Sequence, residues 1–384
     1  MSVLVLSAQH VADLVESLTA SALANLIGRT MHAITKAAET PVEGVPPVQN
    51  PLRIATQSEF HKTLYMPSRL TTSQNISMTA VKIVSVPDSQ SPHAQVGLPG
   101  TTLLLDESTG QVKAMVNSST LTGLRTASVK TAQLSKVRGA DRCAFRSAAS
   151  ALATLILAAP TSQKLVVFGS GTQAYYHARL ILELFPSINH ASFIVRSPSS
   201  RSSELVEKLG RQFPIVKSQV LGTDKTSEYV QQADIICCCV PSKAPIFEAN
   251  DLKANVHINA SCVFFGSYMP SMHEFPASLI SPSTTPTPIP YILVDSRPAC
   301  LSEAGELISA GTVPENCIEL GQVVDVLGNP LTADACDLIA RLKSGQDGKS
   351  LFKCVGVGGM DVGITALMVE MAEQLGVGVK VPFH

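Results

Sequence analysis

Apolar positions in this chain follow two periods, and the change of period divides it. Val3 to Leu6 is a short apolar run that predicts a strand. Ser7 stands where an N-cap belongs. Val11, Leu14, Val15 and Leu18 then recur at helical spacing, which predicts a helix through about Ala38. Thr40 to Pro51 is proline-rich and reads as loop. Leu52 to Ala55, Lys62 to Met66, Ser77 to Ser85 and Thr101 to Asp106 are strand candidates. The turn Asp106 to Gly110 (DESTG) and the strand Gln111 to Val116 complete a hairpin. Successive strands without intervening helices describe an α+β domain.

Thr120 to Ala127 opens a helical segment, and Ala148 to Ala159 (AASALATLILAA) is apolar enough for a buried helix. Ser128 to Ser147, between them, carries Lys130, Lys136, Arg138, Asp141, Arg142 and Arg146 and shows no apolar period. From Leu165 onward strands and helices alternate. Ala191 to Val195, Ala233 to Val240, Val256 to Phe265 and Tyr291 to Asp295 read as strands. Gln173 to Leu184, Ser203 to Phe213, Leu301 to Ala310 and Asp361 to Gly376 read as helices. The run ADIICCCV lacks polar alternation, as a parallel strand covered on both faces should. Ser281 to Pro290 reads as a surface loop.

At the centre of the α/β half stands Lys164 to Leu182, KLVVFGSGTQAYYHARLIL. It has the strand, Gly-x-Gly-x-x-Ala turn and helix start of a dinucleotide-binding unit. Gly169 permits the tight turn, Gly171 lets the backbone approach a pyrophosphate, and Ala174 keeps helix and strand close. The helix N-terminus offers N–H groups to phosphate. An NAD-binding unit should place an acid roughly 20 residues past the glycines, on the ribose 2′-OH. No acid occurs between Glu183 and Glu204, and Arg196, Ser197 and Arg201 stand there instead. Guanidinium and hydroxyl groups suit a 2′-phosphate, so NADPH is expected, with NADH second.

Composition adds exclusions. The 384 residues suffice for two domains, and a net charge of −1 argues against a nucleic-acid partner. No apolar run reaches the ~18 residues of a membrane span. The N-terminus lacks a basic n-region and a cleavage signature, so no secretory signal is expected. The nine cysteines include no C-x-x-C pair, and consecutive Cys237, Cys238 and Cys239 would alternate across a strand, which predicts reduced thiols and no metal.

Several motifs together resemble the ornithine cyclodeaminase/μ-crystallin family. They are LYMPSR at Leu64 to Arg69, the strand around Lys82, LTGLRTA at Leu121 to Ala127 and GSGTQA at Gly169 to Ala174. GSYMPSMHEF at Gly266 to Phe275, VDSRPACLSEAGEL at Val294 to Leu307 and LFKCVGVGGMD at Leu351 to Asp361 complete the set. The resemblance implies an α/β protein with a Rossmann domain, residues 126–349. A substrate-binding and dimerisation domain would comprise 1–125 and 350–384, with the active site in the cleft between the two. It implies a cytoplasmic homodimer acting on a small imine or amino-acid-like molecule. Family members pass almost directly from LRTA to the apolar helix, so 128–147 reads as an inserted loop or a retained intron.

The resemblance also implies roles. Arg53, Lys82 and Arg125 would surround the substrate carboxylate and reactive nitrogen. Arginine grips a carboxylate bidentately, and lysine supplies a compact charge or proton. Lys82 lies in an apolar run, MTAVKIVSV, where an unpartnered charge is costly. Thr101, Arg125 and Thr126 are expected at the cofactor. So are Gly169, Gly171, Thr172, Gln173 and Ala174, then Arg196, Ser197 and Arg201, and finally Cys239, Val240, Gly266 and Ser267. Cyclodeaminases carry a catalytic aspartate where this chain has Tyr268; a tyrosine, with an ordinary pKa near ~10, is a poor base at neutral pH. Glu274 reads as structural. The expected activity is therefore reduction of an imine or ketimine, or reductive amination of a 2-oxo acid. A cyclodeaminase and a non-catalytic NADPH-binding protein are the alternatives.

Overall fold

A computed structural model describes residues 2–39, 44–51, 53–71, 77–87, 99–118, 140–261, 271–281, 283, 288–332 and 336–383. The chain forms two compact units, Met1–Phe145 with Val357–His384, and Arg146–Gly356.

The first unit begins with β1 (Ser2–Leu6) and α1 (Ala8–Glu16), capped by Ser7, whose Oγ accepts the His10 N–H. The expected single helix breaks after Glu16, and α2 (Ala20–Glu39) continues at 105° to α1. Two local caps cause the break. Ser17 Oγ donates back to the Leu14 carbonyl, and Thr19 Oγ1 accepts the Ala22 N–H, so hydroxyls compete with the helical ladder at both sides of Leu18.

The strands follow as β2 (Val48–Gln49), β3 (Ile54–Gln57), β4 (His61–Thr71), β5 (Ser77–Pro87), β6 (Gly100–Leu105) and β7 (Val112–Asn117). β4 through β7 form an antiparallel meander. Buried Ala80, Lys82, Val84 and Val86 alternate along β5, so Lys82 points to the buried face of the sheet.

α3 (Ala140–Leu157) carries the chain from the first unit into the second, which begins at Arg146. This helix starts inside the stretch expected to be an insertion. The run of charges hid its continuity with the apolar part. Then come β8 (Lys164–Phe168), α4 (Thr172–Leu184), β9 (His190–Val195), α5 (Ser200–Gln212), β10 (Lys217–Gly222), α6 (Thr226–Val230), β11 (Ile235–Cys238) and β12 (His257–Ser261). β13 (Ile292–Val294), α7 (Arg297–Glu303), α8 (Gly305–Ala310), β14 (Cys317–Glu319), α9 (Asp337–Leu342) and β15 (Ser350–Cys354) complete it. The eight strands run β10-β9-β8-β11-β12-β15-β13-β14, all parallel. β11 and β15 are buried along their whole length, as central strands of a sheet covered on both faces.

The boundary expected at residue 350 moves to Gly356, because Ser350–Cys354 pairs between β12 and β13. Asp295 fixes the exit. Its carboxylate accepts the N–H groups of Ser296, Val355 and Gly356 and the thiols of Cys300 and Cys354. After Gly356, which has φ +80°, the chain rejoins the first unit as α10 (Gly358–Leu375) and β16 (Val379–Pro382). α10 packs on β4, β5 and α2, and β16 pairs with β1. Cys237, Cys238, Cys239, Cys300, Cys317, Cys336 and Cys354 are free thiols, and no metal-binding group occurs among the described residues. No single described helix is long and apolar enough to cross a membrane.

Candidate active site

In the second unit the chemistry gathers at the carboxyl end of β8. Here the strand order reverses, since β9 lies on one side of β8 and β11 on the other. That is the switch point where open parallel sheets bind dinucleotides. Gly169 has φ +105°, and a Cβ there would stand 2.8 Å from Val240 Cγ1 and 3.1 Å from the Cys239 carbonyl oxygen. Only glycine meets both constraints, and Cys239 and Val240 are thereby set against the turn.

Gly171 is the N-cap of α4, with extended backbone and no side chain over the helix end, so a ligand can approach the backbone of the first turn. A Cβ on Gly171 would lie 3.0 Å from Arg201 Nη2, so the Arg201 guanidinium sits over the glycine turn. Arg196 and Ser197 are exposed just beyond β9, and Ser199 caps α5, which carries Arg201 in its first turn. Gln173 is buried, and its Oε1 has no hydrogen-bond partner among the described residues. Thr172 and buried Ala174 complete the first turn of α4. The tight glycine turn, the helix N-terminus and the guanidinium fit a dinucleotide phosphate, and the buried Gln173 Oε1 is an acceptor suited to a hydroxyl donor.

In the first unit Lys82 is 1% exposed and forms an ion pair with Asp361 in the first turn of α10. Two glycines bring that helix end so close. A Cβ on Gly358 would collide with Ser68 Oγ, and one on Gly359 would stand 2.7 Å from Ile34 Cδ1 and 3.2 Å from Asn50 Nδ2. Ser68 Oγ donates to Asn50 Oδ1 at 2.9 Å. Lys82 pairs in register with Met66 on β4 and Thr102 on β6, and Thr102 and Ser118 hydroxyls bond at 2.6 Å.

Arg53 immediately precedes Ile54, the first residue of β3, which pairs with Tyr65. Continuing that register by one residue sets Arg53 level with Met66, hence two strands from Lys82. Thr101 pairs with Ile83 and therefore occupies the face opposite Lys82; Thr102 shares the lysine's face. Arg125, Thr126, Gly266, Ser267 and Tyr268 lie outside the described residues.

Glu274 is buried and salt-bridged to Lys353 on β15 at 2.9 Å, with Glu306 on the same ammonium at 3.3 Å. The Glu274 N–H also donates to Glu306 Oε1 at 2.5 Å, so this trio ties β15, α8 and the segment before Phe275. Asp361 and Thr102 are the residues that sequence reasoning passed over. The signal for Asp361 was present: an acid in the glycine-rich, apolar first turns of α10 matches the lone lysine of the apolar strand β5 and offsets the cost of burying it.

The profile of the ornithine cyclodeaminase/mu-crystallin family matches residues 137–266. Over that stretch, about a third of its length, the chain is similar to this family. A Delta(1)-pyrroline-2-carboxylate reductase from Colwellia psychrerythraea is 28% identical over 74% of this chain and 77% of its own length. The ketimine reductase mu-crystallin of Rattus norvegicus is 28% identical over 63% of this chain and 64% of its own. The structure of Thermococcus litoralis Delta(1)-pyrroline-2-carboxylate reductase in complex with NADH and L-proline superposes with a TM-score of 0.71. It covers 98% of this chain and 100% of that one at 21% identity, a shared fold.

Proposed function

We propose that this chain is an NAD(P)H-dependent reductase of a small imine or ketimine bearing a carboxylate, such as a cyclic 2-imino acid. Reductive amination of a 2-oxo acid is the close variant. The observation that carries the reading is the buried Lys82 ammonium, a proton source in a chain that also holds a dinucleotide turn. The reductase relatives support the same class.

The dinucleotide supplies hydride to the imine carbon when bound. Gly169 and Gly171 would admit its pyrophosphate to the α4 N-terminus, and Arg201, with Arg196 and Ser197, would hold the 2′-phosphate of NADPH. Arg53 and Arg125 fix the substrate carboxylate, which holds the imine in one orientation. Lys82 donates a proton to the imine nitrogen as the carbon–nitrogen double bond becomes single, and the neutral amine of Lys82 is reprotonated from water. Reduction needs no carboxylate base, so Tyr268 is compatible with it where a cyclodeaminase requires aspartate. The family resemblance supports a cytoplasmic homodimer, which sedimentation and cell fractionation would check.

A steady-state assay tests the reading. NADPH oxidation with a cyclic 2-imino acid supports it. Ammonia release from ornithine, or tight NADPH binding without turnover of any imine, would replace it. In the active enzyme Lys82→Ala should lower turnover at least about tenfold, equal to ~1.4 kcal/mol in the barrier, with NADPH affinity unchanged. Arg53→Ala should act mainly on the substrate KM.

A further inference from the structure

The ion pair beneath α10 has a consequence for the proton that Lys82 delivers. Lys82 sits at 1% exposure and Asp361 at 19%, so the pair joins a dry ammonium to a carboxylate near the rim. Burial alone drives a lysine toward the neutral amine, and a carboxylate in contact reverses that preference. Among the described residues, the strands beside Lys82 present few ionisable groups on its face. β4 presents Leu64, Met66, Ser68 and Leu70 on the same face, and β6 presents Thr102 and Leu104. The other acids of α10, Glu370 and Glu373, are exposed and more than two turns further along. Arg53, level with Met66 by register, is a cation and disfavours a second positive charge.

The backbone is arranged for this contact. Gly358 and Gly359 remove the two side chains that would hold α10 away from Ser68, Asn50 and Ile34. The carboxylate also lies in the first helical turn, where a negative charge is favoured by the peptide dipoles.

We propose that Asp361 is the positioning residue of the reaction, holding Lys82 as an ammonium in one orientation so that it carries a proton at neutral and mildly alkaline pH. The proposal rests on the reductase reading for its kinetic consequence but not for its titration. Asp361 acts through Lys82 and does not itself meet the substrate.

Two measurements on the full-length protein test it. The first is the NMR titration of the Lys82 ammonium, assigned with Lys82→Arg, in the unmutated protein and in Asp361→Asn, without substrate. The expected result is an ammonium retained to above about pH 9 in the unmutated protein, with a midpoint lower by about one pH unit or more in Asp361→Asn. The second is the pH profile of kcat/KM for imine reduction. Its alkaline limb should move down with the titration in Asp361→Asn, and Asp361→Glu should restore part of the shift, while NADPH affinity changes less than about twofold.

An unmutated Lys82 that loses its proton below about pH 8 overturns the proposal even if Asp361→Asn fails to fold. So does an unmoved titration in a folded Asp361→Asn protein. A normal titration shift in a protein that reduces no imine overturns the reductase reading and leaves the lysine–aspartate coupling standing.

Discussion

Gly169 combines a positive φ with a contact to the next strand, so it shows how one residue joins backbone strain to ligand access. An alanine would carry the left-handed penalty of about 1–2 kcal/mol and push on Val240 and the Cys239 carbonyl. Gly169→Ala should therefore lower the urea midpoint and abolish measurable NADPH binding; a variant that binds NADPH normally would refute the placement of the turn. Arg201 offers a gentler test. Losing a charge-assisted phosphate contact costs roughly 1.5–3 kcal/mol, so Arg201→Ala should weaken NADPH about tenfold or more and NADH much less. Titrating both cofactors by fluorescence decides it, and equal loss for both would assign Arg201 to the shared pyrophosphate. The glycines and the missing ribose acid were legible in the sequence because each fills a fixed position in a turn. Asp361 was not assigned, since its meaning depends on Lys82, 279 positions earlier in the chain.

Elements were legible where one period dominates. β8, α4, β9 and the apolar half of α3 stand close to expectation. α1 and α2 were read as one because both share the apolar period, and the break comes from hydroxyls bonding to nearby backbone. β15 was assigned to the wrong domain because the motif that contains it also contains the crossover to α10. Asp295 holds that crossover, and removing its carboxylate as Asp295→Ala would strand the N–H groups of Val355 and Gly356. Each buried N–H left unpaired costs about 1–3 kcal/mol, so the variant should unfold at clearly lower urea.

His257, at the start of β12, makes the sheet sensitive to acid. Burial lowers its pKa to about 3, although its bond to Asn259 acts the other way. Its unfolded value is near 6.5, so between about pH 6.5 and pH 3 the unfolded chain binds the proton and the folded one does not. Stability from this group is complete above pH 6.5 and falls as pH drops, by about 1.4 kcal/mol per unit. Urea unfolding at pH 7 and pH 5 should show the loss, and His257→Gln should flatten that slope. An equal slope in both proteins would contradict the assignment.

At the scale of the whole molecule, two chemistries are carried by two folding units of one chain. The parallel sheet and its switch point supply the dinucleotide turn, and the antiparallel meander supplies Lys82 on the face under α10. The α+β and α/β halves were visible in sequence because strands without helices and strands alternating with helices differ in period. The return of the C-terminus was also legible, because α10 begins inside a family motif, while its exact start at Gly358 followed only from the pairing of β15. The stretch 128–147 was read by its charges, which concealed that α3 already begins at Ala140. The proposed reduction of a carbon–nitrogen double bond draws its proton from Lys82. The direct measurement is NADPH oxidation with a cyclic 2-imino acid, run on the unmutated protein and on Lys82→Ala at saturating cofactor. Turnover with stoichiometric formation of the cyclic amino acid is expected, with a loss of about tenfold or more in the variant. No turnover in the unmutated protein, or equal turnover in both, would contradict it.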